Sequence, residues 1–104
     1  MNIRFLEPAR IELDDAISWY EIEQENLGWL FLDEVRFALK RITNFPESCA
    51  TIAPGLRRCI TRRFPYMLVY GIDNKTVVIV AVAHLHREPM YWHDRPTRET
   101  VGDA

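Results

Sequence analysis

The chain has 104 residues, of which 48% are hydrophobic and 27% charged, with a formal net charge of -2. A chain of that length supports one core and leaves no room for a second, and this composition excludes disorder over most of it. The most apolar stretch, TVVIVAVAHL (76–85), is about half of the roughly 20 residues that a membrane-spanning helix requires, so no span is expected.

The opening MNIRFLEPAR brings in Glu7 and Arg10 before any apolar run, so no secretory signal is expected. Cys49 and Cys59 are too few for a disulfide scaffold and lack the spacing of a metal finger. Read as free thiols, they suit a reducing cytoplasm; a Cys49–Cys59 bridge is the weaker alternative.

In chain order, the short apolar run IRFL (3–6) reads as a strand that Pro8 ends, because proline lacks a ladder donor and suits a helix start. From Ala9 to about Asn26, Leu13, Ala16, Ile17 and Tyr20 form an apolar stripe, with Glu12, Asp14, Asp15 and Glu23 off it. This pattern predicts an amphipathic helix. Leu27-Gly28 reads as a turn, and a second helix follows in which Leu32, Val35, Leu39 and Ile42 repeat until Pro46 halts it. The two helices fold back as a hairpin, and Trp19, Trp29, Phe31 and Phe37 imply a sheet underneath.

Residues 46–55 read as a loop, followed by strands over Leu56–Thr61, Tyr66–Ile72 and Thr76–Leu85. Asp73-Asn74-Lys75 makes a tight turn between the last two, and Phe64-Pro65 separates the first pair. VVIVAVA (77–83) is apolar at every position, which places it centrally or under cover on both faces. The expected fold is therefore α+β, in the order β-α-α-β-β-β: an antiparallel sheet packed against an N-terminal helical hairpin. One domain spans residues 1–95, and 96–104 form a polar, frayed tail.

Charge is unevenly spread. Residues 1–52 hold five Lys or Arg against ten Asp or Glu, whereas 53–104 hold eight against five, together with all three histidines. An anionic partner would therefore meet the second half. In LRRCITRRFPYMLVY (56–70), strand alternation projects Arg58 and Arg62 together, with Arg57 and Arg63 on or near the other face. Such guanidinium forks bind phosphate oxygens in pairs, or else they pair with the carboxylates of the acidic helices.

The segment AHLHREPMYWHDR (83–95) offers His84 and His86 on one strand face, followed by Arg87, Tyr91, Trp92 and His93. A metal would need a third or fourth ligand converging on His84 and His86, for which His93 is the obvious candidate; no metal and no cofactor is expected. A histidine beside arginines suits acid or base chemistry, and Tyr91 could supply a proton. Trp92 reads better as an aromatic plug at the end of the core. No dinucleotide, phosphate-loop or nucleophile-elbow motif is present.

The ordered pieces FLEPARIELDDAISWYE, LGWLFLDEVRFALKRITNFPE, GLRRCITRRFPYMLVY and VVIVAVAHLHREPMYW resemble the RelE/ParE superfamily, the toxin half of type II toxin-antitoxin modules once called plasmid stabilization proteins. The likeness covers about residues 3–95 and is sharpest in WYE, the FP after the second helix, RRFPY and AxAHxxRxPxYW. It implies a curved antiparallel sheet against a helical hairpin. It also implies a cognate antitoxin whose disordered C-terminal segment wraps the toxin, along a sheet edge or the groove beside the hairpin.

Two activities divide the superfamily. ParE-like members inhibit growth by poisoning DNA gyrase, and RelE-like members cut mRNA in the ribosome. Cleavage by a 2′-hydroxyl requires a base, cations on the phosphate and an acid for the leaving oxygen. His84, Arg87 and Tyr91 are the catalytic candidates in that case, whereas Arg58, Arg62, Arg63 and Arg87 would bind a target or phosphate in either. A net-acidic chain with two lysines is poorly suited to RNA, where phosphate charge dominates affinity. That balance and the HxxRxP tail (84–89) favour the ParE side, a gyrase inhibitor over an enzyme. A third reading is an inactive relative that binds an antitoxin alone.

Overall fold

The computed structural model describes residues 1–97. Strand β1 (Asn2–Phe5) leads into α1 (Glu7–Glu23), then α2 (Leu27–Asn44), β2 (Ala50–Ala53), β3 (Leu56–Ile60), β4 (Tyr66–Asp73) and β5 (Thr76–His84). The five strands form one sheet in the order β1-β5-β4-β3-β2. Its two helices cover one face, and the segment after β5 covers the other.

Two features depart from the expected β-α-α-β-β-β antiparallel sheet. The sheet is mixed, because β1 runs parallel to β5 from Asn2↔Thr76 to Phe5↔Ile79. A strand as apolar as β5 needs backbone partners along both edges; β4 supplies one, and β1 closes the first half of the other. Secondly, the expected loop contains β2, paired antiparallel to β3 with Ala50 opposite Arg58 and Thr51 opposite Arg57. Pro54 and Gly55, the latter at φ 74, reverse the chain between them. Strong turn residues on both sides of so short a strand masked it.

The tight turn before β5 is present, with Asn74 and Lys75 both at positive φ (51 and 68), the pairing a two-residue hairpin requires. The turn between the helices lies earlier than Leu27-Gly28. Gln24 caps α1 in an extended conformation, Asn26 adopts φ 70, and Leu27 and Gly28 already belong to α2. The Glu21 carboxylate accepts the amides of Asn26 (2.8 Å) and Gly28 (3.0 Å), satisfying donors at the start of α2. Glycine is required at 28 for closeness rather than for its φ: a Cβ there would lie 2.6 Å from the Ile17 carbonyl oxygen.

The helix-side core gathers Ala16, Tyr20, Phe31, Val35, Ile42, Leu68, Tyr70, Val77 and Ile79. The expectation that four helix aromatics face the sheet holds for Phe31 alone; Trp19, Trp29 and Phe37 remain about half exposed. Within α2 the buried stripe is Phe31, Val35, Ala38 and Ile42, one position back from Leu32 and Leu39. On the other face, Trp92 packs with Leu56, Val69, Val80, Ala81 and Ala83. It is the largest fully buried side chain, as expected of a plug.

Opposite Val69 and Tyr70 the β5 register shifts, leaving Val80 as an extra residue in the ladder. This bulge turns both Val80 and Ala81 towards Trp92. Of the expected frayed tail, Thr97 is in place, its carbonyl accepting the Arg4 guanidinium at 3.4 Å, and 98–104 lie outside the described residues.

Candidate functional site

Beyond Ile79, β5 loses its β1 neighbour because the chain turns away at Leu6 into α1. Backbone groups on that open edge then need other partners. Glu12, one turn into α1, supplies one: its Oε1 accepts the Val82 amide at 3.0 Å. The carboxylate also accepts the Tyr91 hydroxyl at 2.7 Å and both Nη1 (3.0 Å) and Nη2 (3.1 Å) of Arg95, while Arg87 approaches Oε2 to 3.6 Å. Arg95 Nη1 in turn donates to the Val80 carbonyl at 3.0 Å, the group that the bulge leaves free. One carboxylate from the acidic half thus ties the C-terminal strap to the central strand.

The strap is reinforced by stacking. The Arg87 guanidinium lies 3.7 Å from the centre of the Tyr91 ring, and that of Arg95 lies 5.2 Å from it. Burial, then the bond to Glu12, pushes the Tyr91 phenol well above its ordinary range, so its proton is held rather than offered.

The arginines of the β3 segment separate. Arg57 donates to the carbonyls of Glu47 (3.1 Å) and Cys49 (2.7 Å), a structural use. Arg58 is exposed on the face away from the helices, where it shares a cleft of about 240 Å³ with Arg87, His84, Met67, Ala83 and Trp92. Arg62 does not join it. Regular β3 ends at Ile60, and the turn through Arg63 at φ 62 carries Arg62 to the helix side, where it sits 4.7 Å above the Phe37 ring. Arg63 pairs with Glu34 at 2.9 Å. The alternation that put Arg58 and Arg62 on one face fails because the strand stops between them.

His84 and His86 stand edge to face, with ring centres 5.3 Å apart, and His84 Nδ1 accepts the His86 amide at 3.0 Å. His93 turns instead to the Met90 carbonyl, its Nδ1 at 2.7 Å. Among the described residues no group of three or more His, Cys, Asp or Glu side chains converges on a point that could hold a metal. Of the candidates for chemistry, His84 and Arg87 line one cleft, and Tyr91 borders it with its hydroxyl committed to Glu12.

A second surface runs beside α1. Grooves lined by Glu12, Trp19, Val82, His84 and Arg87, by Trp19, Tyr20, Pro65 and Tyr66, and by Tyr20, Leu27, Leu30, Arg63 and Phe64 share their walls from one to the next. The exposed Trp19 stands between the first two. Glu12 is the residue that pattern reading missed: lying off the apolar stripe of α1, it looked like a solvated acid. Its one sequence signal was a carboxylate near the start of a helix that follows a short first strand.

Two helices packed on one face of a mixed five-stranded sheet make a RelE/ParE-like fold. The chain belongs to the family described as ParE toxin of type II toxin-antitoxin system, parDE, which matches over residues 3–89. A solved structure, "Chromosomal ParDE TA system from P. aeruginosa", superposes with a TM-score of 0.71 at 16% identity, covering 82% of this chain and 96% of that one; the likeness is one of fold. No curated protein matches the chain in sequence. Among the described residues no helix is long and apolar enough to cross a membrane.

Proposed function

We propose that this ParE-family toxin arrests bacterial growth in the cytoplasm by binding DNA gyrase, and that a cognate antitoxin neutralises it. The observation that carries the reading is the Tyr91 hydroxyl. Donating to Glu12 at 2.7 Å, with its proton more tightly held than in free tyrosine, it is a poor acid for a leaving oxygen. Binding needs no such acid. On this reading Arg58 and Arg87 meet the target from their shared cleft and Arg62 contributes from the turn before β4, where Arg63 stays paired with Glu34.

For the antitoxin, the groove beside α1 is better suited than the open edge of β5. Glu12 and Arg95 already occupy the Val82 amide and Val80 carbonyl that an added strand would use. The groove offers Trp19, Leu30 and Tyr66 to an apolar segment.

Purified chain in a gyrase supercoiling assay tests the proposal: cleaved DNA should accumulate with added protein, and its absence at excess protein that arrests growth in cells overturns it. A ribosome-dependent mRNA endoribonuclease is the second reading, favoured by His84 and Arg87 lining one cleft with Arg58. Primer extension on translated messages after induction decides between them, since breaks within codons belong to the nuclease alone. Soluble expression without any growth effect would leave the inactive, antitoxin-binding relative.

A further inference from the structure

The β2–β3 register places Ala50 opposite Arg58 and Thr51 opposite Arg57, and continued by one residue it sets Cys49 opposite Cys59. Both are free thiols, both are buried, and both belong to the helix-side core. Directly opposed residues of antiparallel strands have Cβ atoms about 4.5–5.5 Å apart, and a disulfide needs about 3.5–4.5 Å. The remaining approach, up to about an ångström, falls on β2, a four-residue edge strand with a register irregularity between Thr51 and Ala53.

We propose that Cys49 and Cys59 form a redox clasp, a dithiol that a disulfide oxidant of the glutathione class converts to an intramolecular cross-strand disulfide. The reaction begins when β2 lifts from its single neighbour, exposing Cys49. Its thiolate attacks glutathione disulfide, forming a mixed disulfide and releasing one glutathione. The Cys59 thiolate then attacks the Cys49 sulfur and releases the second. Two protons and two electrons leave the protein, and the oxidant ends as two glutathione thiols.

Burial, with Cys49 beside it, pushes the Cys59 thiol up to about 11, so the second step is slow while the strand is closed and the reduced form persists until β2 opens. Once made, the bond fixes the hairpin that presents Arg58 and the loop that Arg57 holds through the Glu47 and Cys49 carbonyls.

The full chain, reduced and then equilibrated without oxygen in buffers of stepped oxidised-to-reduced glutathione ratio, is quenched in acid, alkylated in denaturant and weighed intact. A monomer lighter by two hydrogens and carrying no alkyl group should grow in with the ratio. Its Tm should exceed that of the reduced chain by on the order of 10 °C, since the bond closes a short loop in the unfolded chain. Two alkyl groups at every ratio, a stable glutathione adduct or disulfide-linked dimers would each overturn the proposal. In C49S and C59S the unalkylated species should vanish; should either variant fail to fold, the wild-type masses and Tm decide alone.

Discussion

Glu12→Ala removes the acceptor of the Val82 amide, the hydroxyl partner of Tyr91 and the counter-charge of the Arg95 fork in one step. The Glu12 side chain is 12% exposed and that of Arg95 18%, so water replaces these contacts poorly. Hydrogen bonds to charged groups contribute about 1.5–3 kcal/mol each, and breaking a buried pair from one side costs about 3–5 kcal/mol, so a partly exposed pair with one stranded amide predicts a loss of about 3 kcal/mol. For a domain of about 100 residues that lowers Tm by roughly 15 °C. Glu12→Gln keeps an acceptor and discards the charge, and should cost about half as much. Urea unfolding followed by circular dichroism measures both, and Arg95→Met with the double variant gives the coupling, expected at about 1–3 kcal/mol. An E12A loss below about 1 kcal/mol, or additive single losses, would refute the claim that this carboxylate holds the strap.

Gly28→Ala puts a methyl group 2.6 Å from the Ile17 carbonyl oxygen, and overpacking at backbone should cost about 1–3 kcal/mol in chemical unfolding. Alkaline pH acts through Cys59: because burial raises its thiol from 9.0 to about 11, the folded chain holds that proton more tightly than the unfolded one. The stability it contributes is complete below pH 9 and lost as pH rises through 11; Cys59→Ala should lessen the fall in unfolding free energy from about pH 9 to 10, above which Tyr70 and Tyr91, whose phenols burial also raises, add to the fall. Arg58→Ala and Arg87→Ala remove exposed side chains and should each change stability by less than about 1 kcal/mol while weakening growth arrest, read by plating induced cells beside antitoxin pull-down.

Most elements of the fold were readable because apolar spacing reports burial directly. Val35 and Ile42 recur at helical period and are fully buried, and the unbroken VVIVAVA run occupies the strand between β4 and β1. What pattern missed depends on pairing, which no local window contains. The parallel register of β1 is set by a partner more than seventy residues away, and β2 exists because β3 offers it an edge. Exposed Trp19 and Trp29 misled for the opposite reason: their size suggests burial, yet nothing among the described residues covers them. The site was half readable. Arginine and histidine content pointed to two segments that share the cleft between β3 and the strap, but the strand's end at Ile60 and the reach of Glu12 across the β5 edge decided which side chains meet.

How those arginines are used constrains the target. Arg57 is committed to carbonyls, Arg63 to Glu34 and Arg95 to Glu12, and Arg87 shares Glu12 with Arg95. Among the described residues of the β3 and strap segments, Arg58 and Arg62 have no carboxylate partner, so the cleft and the turn before β4 offer two or three cations to an outside anion. Each phosphate neutralised on duplex DNA contributes about -0.9 to the slope of log affinity against log salt. With three contacts, binding to a nucleic-acid surface would weaken by only about 40-fold between 50 and 200 mM salt, whereas six to ten contacts would cost about 10³–10⁵. A salt titration of the toxin on a nucleic-acid target should therefore show a loss below about 100-fold. A loss of a thousandfold or more would mean that Arg63, Arg87 and Arg95 leave their carboxylates on binding, and that the closed pairs around Glu12 and Glu34 are a resting arrangement.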